Sequence, residues 1–103
     1  MTTIEYIREK VPRSELLAQL AEEAAELAQA ALKLRRTIVN TNPTPVSEEE
    51  ALNGLYEEIA DVELCIWALK LQYTSEQIAK VEKIIHRKAA RWCGRVDANH
   101  VKE

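Results

Sequence analysis

The sequence predicts an all-α protein, built as an antiparallel bundle of about four helices. Glycine and proline, which interrupt helices most often, number only two and three in 103 residues. Apolar residues recur at helical spacing through three long segments, and two of these segments open with a helix-capping signature. At this length we expect a single domain over residues 1–103, with a modest core that a second subunit would extend.

The first predicted elements are a short amphipathic segment from Ile4 to Arg8, which ends before Pro12, and a second helix from about Ser14 to Arg36. Acids near the start of the second helix and bases at its end match the helix dipole. Steps of four and three residues along it define one apolar seam with a single acid, made of Leu16, Leu20, Glu23, Leu27, Ala30 and Leu34. Glu23 is therefore expected to lie near the core.

The third helix is predicted to follow a proline-containing loop at residues 37–46. A capping box of Ser47 and Glu50 opens this helix, which should reach about Leu71. One of its faces carries small residues and two acids, namely Ala51, Gly54, Glu58, Asp61, Cys65 and Ala68. A second face is continuously apolar and consists of Leu52, Leu55, Ile59, Val62, Ile66 and Leu69. We expect this helix to be covered on two sides, with its acids buried or lining a crevice.

The fourth helix is predicted to begin with a second capping box, Thr74 and Gln77, and to end near Gly94. Residues from about 96 onward are polar and should form a loosely ordered tail. One face of the helix becomes cationic at Lys88, Arg91 and Arg95. These bases could bind phosphate oxygens, or they could merely complement the helix dipole and extend into solvent.

Charge is distributed unevenly along the chain, although the net charge is only −3. Residues 48–63 contain seven acids and no base, whereas residues 80–95 contain six bases and one acid. We expect folding to bring the acidic and basic segments together around a metal and a polyanion. The overall negative charge and the absence of an aromatic stacking platform beside the bases argue against a nucleic-acid partner.

The cysteines and the amino-terminal residues indicate the cellular compartment in which the protein is expected. Cys65 and Cys93 show no metal-binding spacing, so we expect reduced thiols rather than a disulfide. No apolar stretch approaches the roughly 20 residues that span a bilayer, and the first residues do not look like a signal peptide. The expectation is a cytoplasmic protein with no membrane partner.

Two pairs of acids in the middle of apolar helices are the main functional signal. Glu23 is followed at three residues by Glu26, and Glu58 is followed at the same spacing by Asp61. At an effective dielectric constant of about 20, two like charges about 6 Å apart repel by about 3 kcal/mol. A hard divalent cation, Mg²⁺ or Mn²⁺, would relieve such repulsion by accepting carboxylate ligands. The alternative is a pair of solvated acidic faces, since Glu is a good helix former.

These motifs resemble those of the MazG-like, all-α nucleoside triphosphate pyrophosphohydrolase superfamily, and the resemblance extends from about Ser14 to Arg95. That family carries a Glu-Glu-x-x-Glu motif on one helix and Glu-x-x-Asp on the next. The matching residues here are Glu22, Glu23 and Glu26, then Glu58 and Asp61, with 31 residues between the two motifs. This spacer is slightly longer than is common in the family.

The resemblance implies Mg²⁺-dependent hydrolysis of a nucleoside triphosphate between its α and β phosphates, giving a nucleoside monophosphate and pyrophosphate. The implied metal ligands are Glu23, Glu26, Glu58 and Asp61. Glu22, or a member of the four that is not fully engaged by metal, such as Glu26, would act on the attacking water. Lys88 and Arg91, with Arg95 as a further phosphate ligand, would stabilise the leaving pyrophosphate. The family also implies a homodimer or a dimer of dimers.

Two other classes of protein remain as alternatives. A non-enzymatic helical interaction module would pair its acidic seams with a basic partner and would need no metal. A di-iron bundle would need a Glu-x-x-His pair on each of two helices, and neither His86 nor His100 has a glutamate three residues before it. No residue can be assigned to base or sugar recognition, and Trp67 and Trp92 are expected to be packing residues.

Overall fold

The computed structural model describes residues 1–39, 41–70 and 73–102, and these form four α-helices and no β-strand. The helices are α1 (Thr3–Lys10), α2 (Arg13–Val39), α3 (Glu48–Lys70) and α4 (Ser75–Lys102). The prediction of an all-α helical protein is confirmed. The chain divides into two compact units, Met1–Gln72 and Tyr73–Glu103, so α4 belongs to a different unit from the first three helices.

Both predicted capping signatures lie at helix starts. At α4, the backbone N–H of Thr74 donates to Gln77 Oε1 at 2.9 Å, and the N–H of Gln77 donates to Thr74 Oγ1 at 3.2 Å. At α3, the N–H of Glu50 donates to Ser47 Oγ at 3.1 Å. The return bond there comes from the Ser47 hydroxyl to Glu50 Oε1 at 3.3 Å, rather than from the Ser47 N–H. Local side-chain chemistry therefore sets both starts.

Two helices, α2 and α4, end at residues other than those predicted. α2 continues three residues beyond Arg36 to Val39. The predicted end of the fourth helix at Gly94 is wrong, because α4 continues to Lys102 and residues 96–102, expected as a tail, are its last turns. Gly94 does not adopt the positive φ that ends a helix, and one glycine within a helix costs only about 1 kcal/mol. The predicted end of the third helix, Leu71, lies outside the described residues.

Helices α2 and α3 pack in an antiparallel pair, as their short connection predicts. The carboxyl-terminal half of α2 shares a pocket with the amino-terminal half of α3, and their opposite halves share another. α1 packs on α3. The buried core consists of Leu16, Ala51, Cys65, Ala68 and Leu69. Three of these five belong to the small-residue seam of α3, so this seam is the face that contacts α2 closely.

The remaining apolar faces are incompletely covered. On the second face of α3 only Leu69 is buried, and Ile59 is 38% exposed. Trp67 and Trp92, expected to pack, are instead 53% and 66% exposed. None of the helices that the structure describes combines the length and apolar character needed to cross a membrane.

Candidate metal centre

The two acid pairs meet at the middle of the interface between α2 and α3. α2 supplies Glu23 and Glu26, and α3 supplies Glu58 and Asp61. Each residue offers one carboxylate oxygen, and these four atoms all lie within 4.8 Å of one another. Residues three apart on a helix share a face, so each pair points toward the other helix. We call these four side chains the acid cluster.

Two members of the acid cluster each have one buried oxygen without a hydrogen-bond partner among the residues that the structure describes. Glu23 and Glu58 are half-buried, whereas Glu26 and Asp61 are exposed. Oε2 of Glu23 and Oε2 of Glu58 are buried and, within the described part of the chain, accept no hydrogen bond. The other oxygen of Glu23 accepts a hydrogen bond from Gln19 Nε2 at 2.7 Å. Buried unpaired acceptors are costly, so these two oxygens are positioned for a ligand that the chain itself does not supply.

The electrostatics of the acid cluster disfavour four free negative charges. Burial raises the pKa of the Glu23 carboxyl above its ordinary value, while the hydrogen bond from Gln19 opposes this shift. The charges of Glu26 and Asp61, and a hydrogen-bonding contact with the Glu26 side chain, raise it further. Burial, followed by the charges of Glu23 and Asp61, also raises the pKa of the Cys65 thiol. The cluster thus favours an added proton or cation.

The donor set fits a hard divalent cation. All four candidate ligands are carboxylates, the ligand type that Mg²⁺ and Mn²⁺ prefer. The amide of Gln19 donates to one oxygen of Glu23, and the other oxygen has no partner among the described residues. Hydrogen bonds of this kind orient carboxylates that bind metals. The residues present therefore meet the chemical requirements for such an ion.

A pocket opens on each side of the acid cluster. The first, of about 670 Å³, contains Glu26 and Glu58 in its lining and extends along the carboxyl-terminal half of α2; we call it the charged pocket. The second, of about 540 Å³, contains Glu23 and Asp61 and is lined largely by apolar residues of α1, α2 and α3; we call it the apolar pocket. A ligand at the cluster can therefore be contacted from two chemically different sides.

The other predicted site residues lie outside the acid cluster. Glu22 is exposed on α2, directly before Glu23. The three predicted phosphate ligands, Lys88, Arg91 and Arg95, line a shallow pocket on the surface of α4 together with Trp92. They share one face, as their spacing predicts. Their approach to the acids stays a prediction.

Three polar residues near the acid cluster were absent from the predicted site. They are Gln19, which orients Glu23, and Lys33 and Arg36, which line the charged pocket with Glu26. Helical spacing contains a signal for two of them, since Gln19 precedes Glu23 by four residues and Lys33 follows Glu26 by seven, and residues at these spacings share a helix face. Arg36 follows Glu26 by ten residues, a spacing that gives no such signal.

A comparison of the chain with protein-family models, curated proteins and solved structures finds no match to any of them. The resemblance to MazG-like proteins therefore depends on the two acidic motifs.

Proposed function

We propose that the protein is a divalent-metal-dependent nucleoside triphosphate pyrophosphohydrolase that acts at the acid cluster. The observation that carries this proposal is the convergence of four carboxylate oxygens within 4.8 Å. Two of these residues, Glu23 and Glu58, also have a buried oxygen with no hydrogen-bond partner in the described part of the chain. The MazG-like spacing of the same four residues supports the choice of reaction. Members of that family cleave between the α and β phosphates.

The proposed ligands of the metal are Glu23, Glu26, Glu58 and Asp61. When bound there, Mg²⁺ would neutralise phosphate charge and lower the pKa of a coordinated water. Gln19 fixes the orientation of Glu23 through its 2.7 Å hydrogen bond. Lys88, Arg91 and Arg95 are candidates for contacts with the phosphates, with Lys88 and Arg91 assigned to the leaving group.

In the proposed reaction, the oxygen of a water molecule forms a bond to the α phosphorus, and the bond from this phosphorus to the bridging oxygen breaks. The water proton passes to a carboxylate, and the leaving group departs as pyrophosphate. The candidate base is Glu22, which is exposed beside Glu23 on α2, or a member of the four that is not fully engaged by metal, such as the exposed Glu26. The products are a nucleoside monophosphate and pyrophosphate.

The decisive test is pyrophosphate release from a panel of standard and modified ribo- and deoxyribonucleoside triphosphates. Each reaction is run with Mg²⁺, with Mn²⁺ and with EDTA. We expect metal-dependent pyrophosphate together with the matching monophosphate, and the ranking of kcat/KM would identify the preferred base and sugar. No release from folded protein across the panel would overturn the proposed reaction.

We also propose that the protein is a homodimer or a dimer of dimers. This is supported by large apolar side chains that a single chain leaves exposed in the first unit, including Leu17, Leu32, Tyr56, Ile59, Leu64 and Trp67. Exposed apolar area of this kind often marks an interface. Sedimentation equilibrium should give twice or four times the mass of the chain, and a monomer at all concentrations would contradict the proposal.

A helical interaction module is the alternative function. The observation that favours it is on α4, where Ile85, Trp92 and Val96 are 57%, 66% and 56% exposed beside several bases. Such a surface suits a partner helix with an apolar and acidic face. This alternative predicts that Trp92→Ala weakens partner binding and that Mg²⁺ leaves the thermal stability unchanged.

A further inference from the structure

The charged pocket contains two bases that the proposed metal centre does not explain. Glu26 and Glu58 lie at the end nearest the acid cluster, and Lys33 and Arg36 of α2, together with Glu50 of α3, line the pocket toward the other end. The lining between them includes small residues: Ala30, Ala51 and Gly54. A Cβ added at Gly54 would meet nothing within 4 Å, so this stretch of the pocket is open.

The geometry of α2 directs both bases toward the acids. With a rise of about 1.5 Å per residue, Lys33 lies about 10 Å and Arg36 about 15 Å from Glu26 along the helix axis. Side chains on a helix lean toward its amino terminus, which is the direction of Glu26. Long basic side chains at these positions can therefore extend along the pocket toward a ligand held at the acid cluster.

Arg36 also has a donor without an acceptor. It is half-buried, and its Nε is buried with no hydrogen-bond partner among the residues that the structure describes. Glu50 lines the same pocket, and one of its two carboxylate oxygens accepts a hydrogen bond from the Ser47 hydroxyl rather than from Arg36 Nε. A guanidinium presents its donors as a planar fork that matches two phosphate oxygens. An anion in this pocket would supply the missing acceptor.

One class of ligand satisfies both ends of the charged pocket. Carboxylates repel a bare phosphate, so an anion would approach Glu26 and Glu58 only with a cation between them. Beyond that cation, the phosphate oxygens would meet two bases, Lys33 and Arg36, and one acid, Glu50. A metal-chelated polyphosphate has this distribution of charge, with its cation for the carboxylates and its outer oxygens for Lys33 and Arg36.

We propose that Lys33 and Arg36 bind the terminal phosphates of the substrate, the two that leave as pyrophosphate. This proposal rests on the proposed function and gives the substrate a direction. The polyphosphate lies in the charged pocket, and the nucleoside extends from the acid cluster away from it. Phosphate binding is thereby assigned to α2, which carries two of the acids, in addition to the bases of α4.

Direct binding of tripolyphosphate in the presence of Mg²⁺, measured by calorimetry, tests the proposal without turnover. Lys33→Gln and Arg36→Gln should each weaken binding about tenfold, because each removes a charge-assisted contact, and the double variant should lose more. Arg35→Gln is the matched control, since Arg35 is an exposed neighbour of the same type that does not line this pocket. It should bind like the wild-type protein.

A second measurement separates a lost contact from a lost fold. The shift in Tm caused by Mg²⁺ alone should be the same in all these variants, because none removes a carboxylate. If Arg36→Gln fails to fold, Arg36→Lys replaces it and should still bind more weakly, since lysine lacks the fork.

The outcomes also distinguish the anion site from the reaction. Unchanged affinity in the double variant would overturn the proposal even if the wild-type protein hydrolyses nucleotides, and so would a wild-type protein that does not bind Mg²⁺-tripolyphosphate. Weakened binding in the variants, from a wild-type protein that releases no pyrophosphate, would establish the anion site and overturn the proposed reaction alone.

Discussion

The two pockets beside the acid cluster differ in the chemistry that surrounds the same group of carboxylates. The charged pocket joins Glu26 and Glu58 to two bases on α2. The apolar pocket joins Glu23 and Asp61 to apolar side chains, among them Leu16, Leu64 and Cys65, with Gln19 and Glu15 as further polar groups. The difference suits a ligand with a polyanionic end and a less polar end, joined at a metal. A nucleoside triphosphate has this form.

Neutralising one acid from each pocket should have the largest effect. Glu58→Gln removes a charge from the charged pocket, and Asp61→Asn removes one from the apolar pocket. Each should lower kcat/KM for pyrophosphate release at least about a hundredfold, because metal ligands supply several kcal/mol of transition-state stabilisation. Far-ultraviolet circular dichroism should show unchanged helical content.

Glu57→Gln is the control for this pair, since Glu57 is exposed, adjoins Glu58 and lies outside the acid cluster. It should keep full activity. Full activity in both Glu58→Gln and Asp61→Asn would remove the proposed metal site. Loss in Glu58→Gln alone would confine the site to the charged pocket.

Metal binding should appear as stability even without a substrate. At a Mg²⁺ concentration a hundred times its Kd, binding to the folded state alone adds about 2.7 kcal/mol to the free energy of unfolding. Thermal unfolding with Mg²⁺, Mn²⁺ and EDTA measures this directly, and the double variant of Glu58→Gln with Asp61→Asn should not respond. If the Tm of the wild-type protein were the same with Mg²⁺, with Mn²⁺ and with EDTA, the interaction module would be favoured.

The half-buried acid of the apolar pocket should make the metal-free protein sensitive to pH. Because the folded state raises the pKa of Glu23 above 4.5, this residue contributes stability below that value and loses it as pH rises through the folded-state pKa. In EDTA, the free energy of unfolding should therefore fall more steeply with rising pH in the wild-type protein than in Glu23→Gln. Denaturant titrations between about pH 4 and 7 provide the comparison.

If the free energy of unfolding had the same slope with pH in the wild-type protein and in Glu23→Gln, the folded state would not raise the pKa of Glu23. Glu22→Gln is a suitable control, because Glu22 is the exposed neighbour of Glu23 and carries the same side chain. It should retain the wild-type slope. At high pH, saturating Mg²⁺ should stabilise the wild-type protein more than Glu23→Gln, since a bound cation favours the ionised carboxylate and the variant lacks this ligand.

The smallest effect is expected on α4. Lys88→Ala should lower kcat/KM about threefold to tenfold with the Mg²⁺-dependent Tm shift intact, because Lys88 is exposed and such contacts are weak. Lys83→Ala, at another exposed lysine of the same helix, is the control and should be neutral. An unchanged kcat/KM in Lys88→Ala would remove Lys88 from the proposed phosphate ligands.

Spacing on a single helix was sufficient to predict much of this arrangement. The seam of α2 that contains Glu23 is buried or half-buried at every position from Leu16 to Leu34. Ser47 and Thr74 cap the helices that they were expected to cap. Gly94 was misjudged because glycine ends a helix only where the chain turns, and the residues after it continue the helix.

The sequence by itself determined which residues share a helix face, because the periodicity of an α-helix depends only on local hydrogen bonds and spacing. It thereby placed each acid pair on a face of its own helix. Only the tertiary structure decided how α2 and α3 align, and this alignment depends on the packing of residues distant in the chain. That packing brings Glu26 to Glu58 and places Lys33 and Arg36 along the same pocket. It also buries one oxygen of Glu23 and one of Glu58, and these buried oxygens support the proposal of a bound metal.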